Sequence, residues 1–121
     1  MTELEAREKC NTIFTRLGWK VSVDKYYKYD KNCKSIKPTF ILCHNGKVYG
    51  FVEIVTSDGD FVKKCKKASA LIETVIKDIK PPIFIVSNGY VYDLFILGES
   101  WGTLTVPPTP EEIDILMGKT D

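Results

Sequence analysis

Residues Gly50–Ser57 read "GFVEIVTS". Phenylalanine, valine and isoleucine surround a single carboxylate, Glu53, which predicts a buried strand carrying one ionisable side chain. Upstream, Thr39–Cys43 ("TFILC") is a second compact apolar run. Asn45-Gly46 lies between the two runs, and that dipeptide is a strong hairpin signal. "TFILC" and Val48–Thr56 ("VYGFVEIVT") are therefore expected to pair antiparallel. Alternation along the strand puts Tyr49, Phe51, Glu53 and Val55 on one face. An unpartnered buried carboxylate is costly. Glu53 therefore reads as partnered, with a lysine for instance, as lying at a sheet edge, or as functional.

Working outward, Thr2–Leu17 predicts a helix. Ala6, Cys10, Ile13, Phe14 and Leu17 form one apolar stripe, Thr2 and Glu5 have capping-box spacing, and Gly18 supplies the stop. "WKVSV" (19–23) alternates as a short strand, and residues 24–38 are polar and basic, a long loop or an irregular edge. After the hairpin, "SDGD" is a turn with Asp58 or Asp60 as the cap of a helix running to Lys80, with its stripe at Phe61, Cys65, Ala68, Ile72, Val75 and Ile79. Pro81-Pro82 ends it. "IFIVS" (83–87) is a buried strand, able to join the sheet parallel through a right-handed crossover. A second Asn-Gly, Asn88-Gly89, turns into "YVYDLFIL" (90–97). Thr109-Pro110-Glu111-Glu112 opens a short C-terminal helix through Met117. The expected fold is α/β, bordering on α+β: a mixed sheet flanked by helices, in the order αβββαββ plus that last helix.

The chain has 121 residues, 44% apolar and 27% charged, which suits a single globular domain over residues 1–121. Its net charge of +1 selects neither nucleic acid nor an anionic membrane as a global field. No apolar run is long enough for a membrane span, and "MTELEAREKC" lacks the apolar core of a secretory leader, so a cytoplasmic protein is expected. Cys10, Cys33, Cys43 and Cys65 make no C-x-x-C pair, and reduced thiols are expected. His44, the single histidine, reads as a turn residue.

Four stretches together resemble the PD-(D/E)XK nuclease superfamily, and more narrowly the N-terminal nuclease domain of type I restriction enzyme motor subunits. They are "ELEAREKCNTIFTRLGW", "KPTFILCHNGKVYGFVEIVTS", the long helix that follows, and "FIVSNGYVYDLF". The likeness spans roughly residues 3–97 and implies a restriction-endonuclease-like fold. Its active-site hairpin carries Pro-Asp on one strand and Glu-x-Lys on the next. Here Pro38 and Glu53 match, but Thr39 stands for the aspartate and Val55 for the lysine.

In an intact site of that family two carboxylates hold Mg²⁺ or Mn²⁺, and the lysine stabilises the attacking water and the developing charge. Thr39 is neutral and Val55 donates nothing. Loss of one charge-stabilising group costs about 3–4 kcal/mol, or ~10²–10³ in rate. The expectation is a catalytically degenerate nuclease-like domain. Activity would need relocated partners around Glu53: Glu5, Asp58 or Asp60 as oxygen donors, and Lys63, Lys64 or Lys67 as the lysine. On a helical wheel those lysines and Lys66 instead form a solvated face opposite the apolar stripe.

A basic segment supplies a second candidate. Lys25, Lys28, Lys31, Lys34 and Lys37 recur every third residue, interleaved with Tyr26, Tyr27 and Tyr29. Lysines neutralise phosphates and tyrosines stack on unpaired bases, and Lys63, Lys64 and Lys67 add a second basic group. The alternative is a solvated loop with its tyrosines packed over the core. Three functions follow: a DNA-binding or accessory component beside other subunits of a restriction-type system, a Mg²⁺- or Mn²⁺-dependent DNA endonuclease, or a protein-interaction module, including self-association as a homodimer. The sequence carries no helicase motor, so it is not expected to act as a type I motor subunit by itself.

Overall fold

The structure, a computed structural model, describes residues 1–28, 35–58, 61–77 and 81–118. Helix α1 spans Glu3–Arg16, and both halves of its capping box form: the Glu5 N–H donates to Thr2 Oγ1, and Glu5 Oε1 accepts from the Thr2 N–H. Ala6, Cys10 and Phe14 are its buried positions. Strand β1 (Lys20–Val23) leads to β2 (Tyr27–Lys28) and β3 (Ser35–Ile36), then to β4 (Phe40–His44) and β5 (Lys47–Ile54). Helix α2 (Phe61–Lys77) precedes β6 (Ile83–Ser87), β7 (Tyr92–Ile96), β8 (Glu99–Leu104) and α3 (Pro110–Leu116).

Six strands form one mixed sheet in the order β1-β4-β5-β6-β7-β8. β4 and β5 pair antiparallel around Asn45-Gly46, and β6 joins β5 parallel with Phe51 opposite Phe84 and Glu53 opposite Val86. β6 and β7 pair antiparallel across Asn88-Gly89. The sheet is covered on both sides. Ala6, Cys10 and Phe14 of α1 and Ile113 of α3 pack with Phe40, Leu42, Val52, Ile54, Ile83 and Ile85 on one face. Leu71 of α2 packs with Ile41, Phe51 and Phe84 on the other, joined by Tyr27 and Ile36. This is the α/β arrangement read from the sequence, with additions. The polar segment 24–38 contains the two-residue strands β2 and β3, paired through Tyr27–Ile36 and Lys28–Ser35. The stretch around Trp101 forms the edge strand β8, which strand alternation alone could not show because five of its six residues are exposed.

One expected placement changes. The β4–β5 register shifts between Leu42 and Cys43, with Leu42 opposite Gly50 and Cys43 opposite Val48. The extra residue is Tyr49, and such a bulge interrupts the alternation of side chains. Tyr49 therefore packs with Trp19 on the α1 side, while Phe51 and Glu53 stay on the α2 side. On α2, Ala68 and Ile72 of the expected stripe face the sheet, and Leu71 joins them; among the described residues, Lys64 and Lys67 border that stripe and reach Glu3 and Glu53 instead of lying opposite it. Cys10, Cys43 and Cys65 are free thiols; Cys33, Tyr29 and Ile79 lie outside the described residues. No helix among the described residues is long and apolar enough to cross a membrane.

Gly50 is the position where β5 and β6 approach most tightly. A Cβ there would run into the backbone and side chain of Ile83. Gly50→Ala is expected to cost about 1–3 kcal/mol by overpacking. It should appear as a lower urea midpoint at unchanged slope. A midpoint equal to wild type would refute that contact.

Candidate functional site

Glu53 is fully buried at the C-terminal half of β5. Because Phe40 pairs with Val52, Thr39 arrives beside Glu53 at the start of β4. Its backbone N–H donates to Glu53 Oε1 at 2.7 Å, and its hydroxyl donates to Oε2 at 3.2 Å. Lys67 reaches in from α2, with Nζ 3.4 Å from Oε1. Each carboxylate oxygen thus has a donor, and a cation balances the charge. That is the compensation a buried carboxylate requires. Lys67 keeps 40% of its side chain in water, so its own desolvation is small.

Of the two substituted positions, Thr39 lies against Glu53 and Val55 makes no hydrogen bond to it among the described residues, and the chemistry around Glu53 differs from an ion shell. Around Glu53 stand one carboxylate, a neutral hydroxyl and an ammonium group. Mg²⁺ takes several oxygen ligands, so this set does not fit it. Among the described residues no three His, Cys, Asp or Glu side chains cluster closely enough to hold a metal ion. Val55 follows the end of β5, half-buried, and its N–H donates to the Ser87 carbonyl at 2.8 Å.

The oxygen donors proposed to converge on Glu53 are engaged elsewhere. Glu5 is exposed and serves the capping box; hydrogen bonds from Thr2 hold its carboxyl below the usual range. Asp58 accepts from the Glu3 N–H at 3.0 Å, so it caps α1 across the fold, and that bond lowers its carboxyl too. Asp60 lies outside the described residues. Lys64 pairs with Glu3 at 3.0 Å, and Lys63 is exposed on α2. The link between Lys67 and Glu53 was legible in the lysines of residues 63–67 once Leu71 is counted in the helical stripe.

The basic segment divides between the two readings of its tyrosines. Tyr27 packs edge-on against Phe51 at 5.2 Å between ring centroids, so it belongs to the core and is not a stacking platform. Tyr26 is 66% exposed with Lys37 Nζ 5.5 Å from its ring centroid. Lys25, Lys28 and Lys37 are exposed, whereas Lys31 and Lys34 lie outside the described residues. β2, β3 and α2 cover the same sheet face through Tyr27, Ile36 and Leu71. His44 stacks edge-on with Trp19 and Tyr49, and its Nε2 lies 3.9 Å from Glu111. Tyr49 donates to Asp114 at 2.8 Å and Trp19 to the Pro108 carbonyl at 2.9 Å, so this cluster seats α3.

No protein-family profile matches the chain, and no curated protein matches it. Among solved structures, a DrdV–DNA complex determined by cryo-electron microscopy superposes with a TM-score of 0.51 at 11% identity. The match covers 84% of this chain and 12% of that one, so the chain spans a small part of its neighbour's length. At this identity the likeness bears on the fold alone: a mixed sheet flanked by helices.

Two measurements check this geometry. Glu53→Ala leaves Lys67 and both Thr39 donors without their acceptor and should cost about 3–5 kcal/mol in chemical unfolding. Lys67→Met should cost less, about 1–3 kcal/mol, because Lys67 is partly solvated and the Thr39 bonds remain. Equal stability of both variants and wild type would refute the pairing. The second concerns pH. A depressed carboxyl stabilises the fold above its unfolded pKa, and that contribution disappears as pH falls through the folded value. Acid should therefore weaken the α1 cap, and Asp58→Asn should flatten that limb of the thermal stability profile. An unchanged acid limb would remove Asp58 from the cap.

Proposed function

We propose that this chain is a DNA-binding domain on a nuclease scaffold, in which the active-site carboxylate has become a structural ion pair. The observation that carries the proposal is the full burial of Glu53, with both its oxygens occupied by Thr39 and one of them also by Lys67. A carboxylate held in this way neither meets solvent nor presents a free lone-pair face to a cation. Its work is to fasten α2 to the sheet. The DNA-bound state of the structural neighbour supports DNA as the partner. So do the exposed lysines Lys25, Lys28 and Lys37 on and beside the β2–β3 hairpin. Within this reading, the chain is a degenerate relative of the type I motor-subunit nuclease domain, acting as an accessory component of a restriction-type system.

One contact favours a second reading. Lys67 supplies an ammonium group beside Glu53, as the absent lysine at position 55 would have done. A metal-dependent endonuclease with a relocated lysine would use this pair, with further oxygen ligands supplied by the substrate.

Binding of duplex DNA should weaken steeply with salt. Reversing the charges at Lys25, Lys28 and Lys37 together should remove at least about tenfold in affinity at low salt and flatten the salt dependence. Absence of binding at low salt would overturn the proposal. Supercoiled plasmid incubated with Mn²⁺ decides between the two readings. Nicking by wild type that disappears in both a folded Lys67→Met protein and Glu53→Gln would establish the endonuclease. Intact plasmid, or nicking equal in all three proteins, leaves the binding domain.

A further inference from the structure

A cleft of about 230 Å³ opens beyond the C-terminal ends of the parallel strands β5 and β6, lined by Met1, Val55, Thr56, Ser57, Asn88 and Tyr90. The crevice at the carboxyl ends of parallel strands is a recurrent ligand position in α/β sheets. Its volume is below the range of drug-sized pockets and suits one planar heterocycle. None of the lining side chains carries a charge, and the nearby cations are the Met1 amino group, which acts on Asp58, and Lys9 over the Tyr90 ring.

Three features give the cleft a chemical direction. Thr56 is 5% exposed, and its hydroxyl makes no well-aligned hydrogen bond; its neighbour is the Asp58 carboxylate, which it helps to hold in the charged form while that carboxylate accepts from the Glu3 N–H. A buried hydroxyl so loosely held is incompletely satisfied, and a polar ligand edge would complete its bonding. Asn88 holds the Tyr90 and Val91 N–H groups with Oδ1 at 2.9 and 3.1 Å, which fixes the amide and leaves Nδ2 as a donor. Tyr90 is 58% exposed, an aromatic surface at the cleft with Lys9 Nζ 5.3 Å from its ring centroid.

The cleft is also preformed. Ser87 ties its walls together: the Gly89 N–H donates to Ser87 Oγ at 3.0 Å, Ser87 Oγ donates to the Val91 carbonyl at 2.8 Å, and the Ser87 carbonyl accepts from the Val55 N–H. Gly89 has φ +93°, and a Cβ there would collide with Met1 and Ala6. Only glycine lets this turn sit against α1. A rigid cleft spends little ordering entropy on binding.

We infer that this cleft takes the base of one unpaired nucleotide, stacked on Tyr90 with its polar edge at Thr56 and Asn88. Lys9 stands beside it for the attached phosphate. The inference deepens the DNA-binding reading and rests on it for the source of the base.

The test compares a short duplex bearing one unpaired nucleotide with the same duplex abasic at that position, by fluorescence anisotropy. Free nucleosides are titrated in parallel and followed by backbone amide shifts. Wild type should prefer the base-bearing duplex by roughly tenfold, the scale of one stacked base. Tyr90→Ala and Thr56→Val should each reduce that preference while keeping plain-duplex affinity and its salt dependence. Tyr90 tolerates substitution because it is exposed, and Thr56→Val removes only a poorly aligned contact to Asp58, whose carboxylate keeps its bond from the Glu3 N–H. Equal affinity for the base-bearing and abasic duplexes overturns the base site and leaves DNA binding standing. Nucleoside shifts at Thr56 and Asn88 without any DNA binding support the cleft and overturn the DNA-binding reading. Binding of neither overturns both.

Discussion

A carboxylate with no exposed surface fixes what must surround it. Glu53 lies in the middle of the sheet, and its ionised form is tolerated only if donors reach it from other elements. Thr39 does so from the start of β4 and Lys67 from α2. The interaction thereby joins a strand, its hairpin partner and a helix that follows in sequence. Sliding α2 by one residue would rotate Lys67 away by about 100° and leave the carboxylate with the Thr39 bonds alone. The apolar contacts of Leu71 with Phe51 and Phe84 are non-directional and permit several registers. The ion pair selects among them. This is specificity bestowed by a polar group, which adds little net stability against a well-packed apolar alternative.

The other face depends on the same strand through the bulge. By turning Tyr49 away from Phe51 and Glu53, the register shift adds it to the α1 side, which Val52 and Ile54 already face by ordinary alternation. Tyr49 then meets Trp19 and His44 edge-on and donates to Asp114. Burial and the neighbouring Asp114 both raise its phenol, so it remains a donor at neutral pH. The α3 helix is only seven residues long and too short to be stable alone. Its capping box, the burial of Ile113 and the hydrogen bonds of Tyr49 and Trp19 hold it in place.

Much of the fold was legible because its signals are local. Two Asn-Gly turns, a capping box at each terminal helix and apolar runs of strand length mark the elements without reference to the rest of the chain. What escaped was non-local. The flip of Tyr49 depends on how β4 and β5 register across the hairpin, and the strand β8 depends on pairing with β7. For the site, Glu53 stood out as a lone carboxylate in an apolar run, and Thr39 and Val55 as substitutions within a resemblance. The helix face carrying Lys67 turned on Leu71, a residue outside the stripe first drawn. Tyr26 and Tyr27 are adjacent and chemically identical, yet one is exposed and the other packs on Phe51. Only the pairing of Tyr27 with Ile36 decides which.

The molecule separates its charges from its neutral polar groups. Lys25, Lys28 and Lys37, on and beside the small hairpin, are exposed, where they meet solvent and feel salt. The crevice beyond β5 and β6 holds hydroxyls, an amide and an aromatic ring, without a charged side chain. Nucleic acid presents the same division. Its phosphates carry long-range, sequence-independent attraction, while its bases offer short-range hydrogen-bond edges and flat apolar faces. A nuclease must bring charge to the scissile phosphate. Beside Glu53 the nearest cation is the Lys67 ammonium, which is engaged with that carboxylate. On the proposed reading, the chain would hold a strand through its lysines while Glu53 and Lys67 hold the fold.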